Sequence, residues 1–226
     1  MSANEHRPVL ALAMGDPCGI SPELTAKIMM DAEVRAWRVK ERKRLKQERM
    51  ELGSVDRTFV TEAIARNLDN ALERQPCRAL GLYWPIKGEF DLRDWAKRFS
   101  ARKRCDLALP VVVQEHAPVE YWRWRPGDAM ARGFWGILVP EQRDPVIPDI
   151  VIAPLVGFSA LYRLGHGGGY FDRTLADINP KPLAIGVGIE ASRVTGYIPQ
   201  PHDIPMDLIV TQAAVYRSDR GASHDQ

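Results

Sequence analysis

Residues 154–173 read Pro-Leu-Val-Gly-Phe-Ser-Ala-Leu-Tyr-Arg-Leu-Gly-His-Gly-Gly-Gly-Tyr-Phe-Asp-Arg. The stretch begins as an apolar strand, continues as a loop with glycine at 165, 167, 168 and 169, and predicts a helix after Phe171. Glycines let the backbone approach a ligand and expose N–H donors, and a helix N-terminus adds partial positive charge. The stretch therefore predicts a phosphate cradle, although glycine spacing alone favours a flexible turn with incidental charges.

Two charged side chains border the glycines. Arg163 can grip phosphate oxygens through its planar guanidinium, and Asp172 can hold Mg²⁺ beside those phosphates. The pattern is not a Walker loop, because no Gly-Lys-Ser/Thr follows. It also lacks the spacing and the downstream acid of a dinucleotide-binding fingerprint.

Short apolar runs alternate with helical segments on both sides of this stretch. Such alternation predicts an α/β fold with a mostly parallel sheet. The predicted strands cover residues 8–14, 79–84, 107–113, 119–124, 150–154, 183–187 and 208–211, and the predicted helices cover residues 22–30, 33–50, 55–72, 92–100 and a segment after Phe171.

The composition is ordinary for a soluble globular protein, with 45% hydrophobic and 27% charged residues in 226. A net charge of +2 gives no strong field to attract nucleic acid or a membrane. The apolar run 9–14 is too short for a signal peptide or a membrane span. Cys18, Cys77 and Cys105 lack the spacing of a zinc site or a disulfide framework. We expect a cytoplasmic protein that binds neither nucleic acid nor membrane.

The run Arg35–Arg49 is an exception to this balanced charge, being dense in Arg and Lys. It is compatible with a helix, because it contains few helix breakers. Nucleic-acid binding is one interpretation of the run. A solvated helix face is favoured, because the protein as a whole carries little net charge.

The stretch 163–172, together with 154–158 upstream, resembles the signature of 5-formyltetrahydrofolate cyclo-ligases, also called methenyltetrahydrofolate synthetases. Several ordered blocks are more specific than any single motif. The other blocks that agree in order and spacing are 87–92, 121–128, 133–137 and 201–211, so the resemblance covers about residues 35–216.

The resemblance implies a three-layer α/β sandwich with helices on both faces of the sheet. It also implies an enzyme that uses ATP and Mg²⁺ to convert 5-formyltetrahydrofolate, a reduced folate, into 5,10-methenyltetrahydrofolate. We expect a monomer whose cyclo-ligase-like domain spans residues 33–216. An N-terminal appendage (1–32) precedes it, and a polar tail (217–226) that we expect to be disordered follows.

Site residues follow from the same resemblance. The expected catalytic residues are Arg42, Arg163 and Tyr170, and the expected magnesium ligands are Asp172 and Asp203. For Asp203 the alternative is a turn aspartate, and aromatic residues at strand ends are otherwise usually core. The expected ATP-binding residues are Arg38, Arg42, Arg163, Gly165, His166, Gly167, Gly168, Gly169 and Tyr170. The expected folate-binding residues are Tyr83, Trp84, Glu89, Trp135 and Tyr170.

Three residues depart from the family pattern. Arg38 stands in place of a lysine, Phe171 in place of a tyrosine and Arg193 in place of a glutamine. They leave open a paralogue that acts on another cofactor precursor, or a non-catalytic regulator that binds nucleotide or folate. Residues 8–30 resemble the opening strand and turn of 4-hydroxythreonine-4-phosphate dehydrogenases, and no function is assigned to them.

Overall fold

Helices and strands alternate along the chain as the sequence predicts. The computed structural model describes residues 22–217, without the side chains of residues 22–26 and 28. Its helices are α1 (Pro22–Glu51), α2 (Ser54–Leu72), α3 (Arg93–Lys103) and α4 (Tyr170–Asp177), with 3₁₀ turns at Phe134–Gly136 and Glu190–Ser192. Its strands are β1 (Ala79–Gly81), β2 (Asp106–Val111), β3 (Glu120–Arg123), β4 (Met130–Arg132), β5 (Leu138–Pro140), β6 (Ile150–Pro154), β7 (Gly157–Ser159), β8 (Tyr162–Leu164), β9 (Leu183–Val187), β10 (Leu208–Val210) and β11 (Val215–Arg217).

Seven strands form the central sheet in the order β11-β10-β9-β6-β1-β2-β3. The inner five strands pair in parallel, while β11 and β3 pair antiparallel at the two edges. Two small hairpins, β4–β5 and β7–β8, lie outside this sheet. The prediction of an α/β fold with a mostly parallel sheet is confirmed.

Successive side chains of the inner strands alternate between two hydrophobic clusters, because side chains of a strand point alternately to opposite faces. Ile150 and Ile152 of β6 join one cluster, which contains most of the buried residues of α2 and those of α3. Val151 and Ala153 join the other, which contains Leu175 of α4. Helices therefore cover both faces, as expected for three layers.

The strand order explains where a site can form. Parallel strands end at the same edge of a sheet, and β1 pairs directly with β6 through Leu80↔Ile150 and Gly81↔Val151. The segments that follow β1 and β6 therefore leave the sheet side by side. One contains residues 87–89 (the acidic loop, Lys87-Gly88-Glu89), and the other contains residues 165–169 (the glycine loop).

The N-terminal part of the described chain differs from the prediction in one respect. α1 runs without a break from Pro22 to Glu51, where two helical segments were expected. The described chain divides into two compact units between Glu41 and Arg42, and both loops lie in the second unit. The predicted strand 8–14 and residues 218–226 of the predicted tail lie outside the described residues. Within the described ranges, no helix is long and apolar enough to cross a membrane.

Candidate active site

The glycine loop joins β8 to α4, and its backbone takes conformations that favour glycine. Gly167 has φ +105° and Gly169 has φ +67°. Gly169 is also the N-cap of α4, and it has no side chain that could accept a hydrogen bond from the first amides of the helix. The amides of the first helical turn are therefore available to an anion.

Arg42 of α1 holds the glycine loop from outside. Its Nε donates to the carbonyl oxygen of Gly165 at 2.8 Å. A Cβ placed on Gly167 would lie 3.5 Å from Arg42 Cζ, so the guanidinium packs against the loop backbone. The structure thus brings a predicted catalytic arginine to the predicted nucleotide loop.

Arg163 and Asp172, which border the loop, are paired with each other. Arg163 Nη2 lies 3.0 Å from Asp172 Oδ2, and only 5% of the arginine side chain is exposed. Arg163 Nη1 also donates to the Pro154 carbonyl at 3.5 Å, and its Cζ lies 5.1 Å from the centre of the Phe171 ring. The pair ties the end of β6 to the first turn of α4.

Asp172 contacts the segment that contains Asp203. Asp172 Oδ1 accepts a hydrogen bond from the amide of Ile204, the residue after Asp203, at 3.4 Å. Asp203 Oδ2 accepts from Tyr197 OH at 3.0 Å and from the Gln200 amide at 2.7 Å. Asp203 therefore organises its own turn, the alternative stated above, while the next residue contacts the other predicted magnesium ligand.

These two carboxylates suit one kind of magnesium site. In the part of the chain that the structure describes, no cluster of three or more His, Cys, Asp or Glu residues could hold a metal ion. Mg²⁺ commonly takes one or two carboxylates and fills its remaining positions with phosphate oxygens and water. The donor set fits an ion that arrives with a nucleotide, and it does not fit an ion enclosed by protein alone.

The acidic loop presents Glu89 to the glycine loop. Glu89 Oε1 lies 2.7 Å from His166 Nε2, and Glu89 Oε2 accepts from the Ile86 amide at 2.9 Å. The glutamate side chain is 3% exposed and the histidine side chain 28% exposed. The predicted nucleotide loop and the predicted folate-binding acid thus meet at one point.

Two arginines that the sequence analysis did not select hold the acidic loop in place. Buried Arg49 donates to the carbonyls of Lys87 at 3.1 Å and of Leu155 at 3.3 Å. Arg57 of α2 donates to the Gly88 carbonyl and to the Arg49 carbonyl. Burial lowers the pKa of Arg49, and the negative charge of Glu89 opposes that shift. The prediction of a solvated basic face is therefore wrong for Arg49, because this side chain is turned into the protein.

Lys46, one turn after Arg42 on α1, lies near charged groups of α1 and of the acidic loop. Burial lowers the pKa of Lys46, and the positive charges of Lys87, Arg42 and Arg49 lower it further. Glu89 acts in the opposite direction. Three cations and one carboxylate thus act electrostatically on this ammonium.

The predicted folate-binding aromatics fall into two groups. Tyr83 is buried, donates its hydroxyl to the Phe90 carbonyl at 2.5 Å, and has its pKa raised well above the ordinary value by burial. Trp84 packs edge-on against Trp124, and Arg93 Cζ lies 4.1 Å from the Trp84 ring centre. Both residues shape the segment that leads into the acidic loop.

The other group stands over the glycine loop. Trp135 is 66% exposed, has a left-handed backbone (φ +55°), and meets the Tyr170 ring edge-on at 5.4 Å. A Cβ on Gly168 would lie 3.0 Å from Tyr170 Cδ2 and 3.4 Å from Trp135 Cη2. The exposed ring of Trp135 and the partly buried ring of Tyr170 therefore border the glycine loop.

Two residues that depart from the family pattern are also located. Arg38 lies one turn before Arg42 on α1 and belongs to the first compact unit, so its predicted role in ATP binding stays a prediction. Arg193 Cζ lies 5.1 Å from the Tyr216 ring centre, and Arg193 Nη1 lies 3.9 Å from Glu190 Oε1. Arg193 therefore interacts with groups near the last strands of the sheet.

Comparison with known proteins agrees with this geometry. The chain is 26% identical over 174 residues to the 5-formyltetrahydrofolate cyclo-ligase of Mycoplasma pneumoniae, a match covering 75% of this chain and 94% of that protein. It is 25% identical over 179 residues to the Haemophilus influenzae protein of the same name, covering 75% of this chain and 95% of that protein.

A solved structure matches over most of its length. The 5,10-methenyltetrahydrofolate synthetase of Aquifex aeolicus superposes with a TM-score of 0.71 at 29% identity, covering 84% of this chain and 96% of that one. The N-terminal resemblance is confirmed as a short match, 64% identical over 31 residues, to a Rhizobium meliloti protein named as a 4-hydroxythreonine-4-phosphate dehydrogenase. That match spans 9% of the Rhizobium protein, so it assigns no activity to this chain.

The sequence pattern of one family covers most of the chain. It matches residues 34–212, which include both loops, both aspartates and the arginines of α1 and α2 that hold the loops. The chain belongs to the 5-formyltetrahydrofolate cyclo-ligase family.

Proposed function

We propose that the protein converts 5-formyltetrahydrofolate and ATP into 5,10-methenyltetrahydrofolate, ADP and phosphate. The contact between His166 and Glu89 carries this proposal, because it joins a loop suited to phosphate with a buried carboxylate suited to a pterin. A carboxylate can accept two hydrogen bonds from the amino and ring N–H groups of a pterin. The two substrates would therefore meet where the two loops meet.

The reaction requires alignment and charge neutralisation more than a covalent nucleophile. The formyl oxygen attacks the terminal phosphorus of ATP, and the bond to ADP breaks. Folate N10 then attacks the formyl carbon and loses its proton, and phosphate leaves with the former formyl oxygen. Each bond change occurs between the substrates, so the protein has to hold and polarise them.

The residues of the site divide this work. The amides of the glycine loop and of the first turn of α4 would hold phosphate oxygens, with Arg42 beside them. The exposed ring of Trp135 and the ring of Tyr170 would cover the bound substrates on the outer side. Glu89 would fix the pterin ring, held in place by Arg49 through the acidic loop.

Asp172 and Asp203 would hold Mg²⁺ together with the nucleotide. When bound, the ion would neutralise phosphate charge as phosphoryl transfer proceeds. Arg163 fixes the orientation of the Asp172 carboxylate through its ion pair and would add positive charge near the phosphates.

A spectrophotometric assay for methenyltetrahydrofolate tests the proposal. The purified protein with 5-formyltetrahydrofolate should form product only when both ATP and magnesium are present. Asp172→Ala should abolish product formation, whereas Asp177→Ala, an exposed position at the end of the same helix, should not. ATP hydrolysis without methenyltetrahydrofolate would instead indicate another acceptor, and ligand-induced thermal stabilisation without turnover would indicate a regulator.

A further inference from the structure

We propose that Lys46 is a further catalytic cation, which contacts the phosphoryl group during its transfer from the nucleotide to the folate. This inference rests on the proposed function, because it needs a nucleotide at the glycine loop and a folate at the acidic loop. The resemblance to the family does not select Lys46, and neither does any sequence motif.

The position of Lys46 on α1 is the first reason. Residues 42, 46 and 49 follow helical spacing and lie along one stripe of the helix. At one end of the stripe Arg42 donates to the Gly165 carbonyl, and at the other end Arg49 donates to the Lys87 carbonyl. Lys46 therefore stands between the helix residue that contacts the glycine loop and the one that contacts the acidic loop.

The local charge is the second reason. The positive charges of Arg42, Arg49 and Lys87 lower the pKa of Lys46, and the carboxylate of Glu89 raises it. That carboxylate already faces His166 and the Ile86 amide, so its charge is largely engaged. Among Lys46 and these four groups, positive charge is in excess beside the acidic loop, and an incoming anion would relieve that excess.

The chemistry of the proposed reaction supplies such an anion at the right moment. The transferring phosphoryl group leaves ADP at the glycine loop and becomes bonded to the formyl oxygen of a folate held by Glu89. It therefore has to cross from one loop to the other. A flexible ammonium between the loops can follow the charge as it moves, which neither Arg42 nor Arg49 can do while bonded to backbone carbonyls.

The test compares Lys46→Met and Lys46→Gln with Lys43→Met, a matched control at an exposed position of the same helix. Loss of a group that acts mainly in the transition state should lower kcat by about 100-fold. It should leave KM for ATP and for 5-formyltetrahydrofolate within about threefold. Lys46→Arg, which keeps the charge, should recover part of the lost kcat, and Lys43→Met should match the wild type.

Thermal unfolding separates this role from a structural one. The charge of Lys46 is disfavoured in the folded state, since burial and neighbouring cations lower its pKa. Lys46→Met should therefore unfold at the same temperature as the wild type or a higher one, while its kcat falls. A kcat within twofold of the wild type, a change confined to KM, or a kcat loss that parallels a loss of folded protein in both neutral variants would overturn the proposal.

Calorimetric titration gives a readout that does not depend on turnover. ADP with magnesium and aluminium fluoride, a mimic of the transferring phosphoryl group, should bind the wild type more tightly than ADP with magnesium alone. Lys46→Met should lose most of that gain. If the wild type forms no methenyltetrahydrofolate, the proposed function fails, but the titration still tests the role of Lys46. An equal gain in affinity in both proteins, or no gain in the wild type, would reject that role.

Discussion

The glycine loop and the acidic loop adjoin each other but owe their shapes to different causes. The glycine loop contains residues that accept a left-handed backbone without strain, such as Gly167 at φ +105°. The acidic loop places a non-glycine residue, Lys87, at φ +47° and is held by Arg49 and Arg57 from two helices. One shape is encoded locally, whereas the other depends on side chains about 30 to 40 positions away in sequence.

This difference predicts that substitutions in the two regions will affect different substrates. Changes within residues 163–172 should act on the nucleotide side and on the first turn of α4. Changes at Arg49 or Arg57 should act on the folate side, although both residues lie outside the acidic loop. The following predictions run from the largest expected effect to the smallest.

Arg163→Met should cause the largest loss. It leaves Asp172 as an uncompensated, mostly buried charge, and breaking a buried pair in this way costs about 3–5 kcal/mol. Activity should be lost as well. Urea unfolding measures the stability change, and the double variant Arg163→Met/Asp172→Asn should recover part of it without recovering activity. A double variant no more stable than the single one would contradict the role given to the ion pair.

Arg49→Met should act on the other loop. It leaves the carbonyls of Lys87 and Leu155 without their donor, at a cost of about 2–3 kcal/mol in unfolding free energy. We expect KM for 5-formyltetrahydrofolate to rise more than KM for ATP. The control is Arg44→Met, whose exposed ion pair with Glu48 is worth about 0–1 kcal/mol. Equal effects on both KM values would remove the distinction between the loops.

Gly167→Ala should strain the glycine loop by about 1–3 kcal/mol, because alanine resists φ +105°. KM for ATP should rise while KM for folate changes little. Gly127→Ala provides a matched control, since Gly127 has φ +98° and no neighbour within 4 Å of an added Cβ. The two variants should lose similar stability, and only Gly167→Ala should lose affinity for ATP. An ATP defect in both variants would show that strain alone causes it.

His166→Gln should have the smallest effect, but on both substrates. It weakens one contact between the loops, of a kind worth about 1 kcal/mol, which corresponds to roughly a fivefold change in an equilibrium constant. Both KM values should rise by similar small factors. A change in only one KM value would mean that His166 belongs to one loop and does not connect the two.

The sequence predicted the glycine loop better than the acidic loop. The strand that ends at Pro154, the glycines and the helix start follow one another along the chain. β6 therefore has the predicted bounds, and α4 begins at Tyr170, two residues before the start predicted after Phe171. Glu89 was selected only by resemblance, because a glutamate after Lys-Gly has no local signal that separates it from a solvated side chain. Its contact with His166 depends on the pairing of β1 with β6, which no local pattern encodes.

Long-range contacts account for most of what the sequence did not reveal. Arg49 lies in a basic run that reads as a solvated helix face, yet it bonds to the Leu155 carbonyl 106 positions away. Lys46 also reads as part of a solvated helix face, and only the charges near it in the folded protein set it apart from the exposed lysines of the run. The hairpins β4–β5 and β7–β8 were missed because three-residue strands are too short to show a period of two.

The central claim is that the two loops form one site in which each holds a different substrate. Glu89→Gln, compared with Glu62→Gln at an exposed position of α2, tests it most directly through steady-state kinetics with both substrates varied. Loss of a charge-assisted hydrogen bond worth about 1.5–3 kcal/mol should raise KM for 5-formyltetrahydrofolate by roughly 10- to 100-fold and leave KM for ATP nearly unchanged. An unchanged KM for folate, or an equal rise in KM for ATP, would contradict the account.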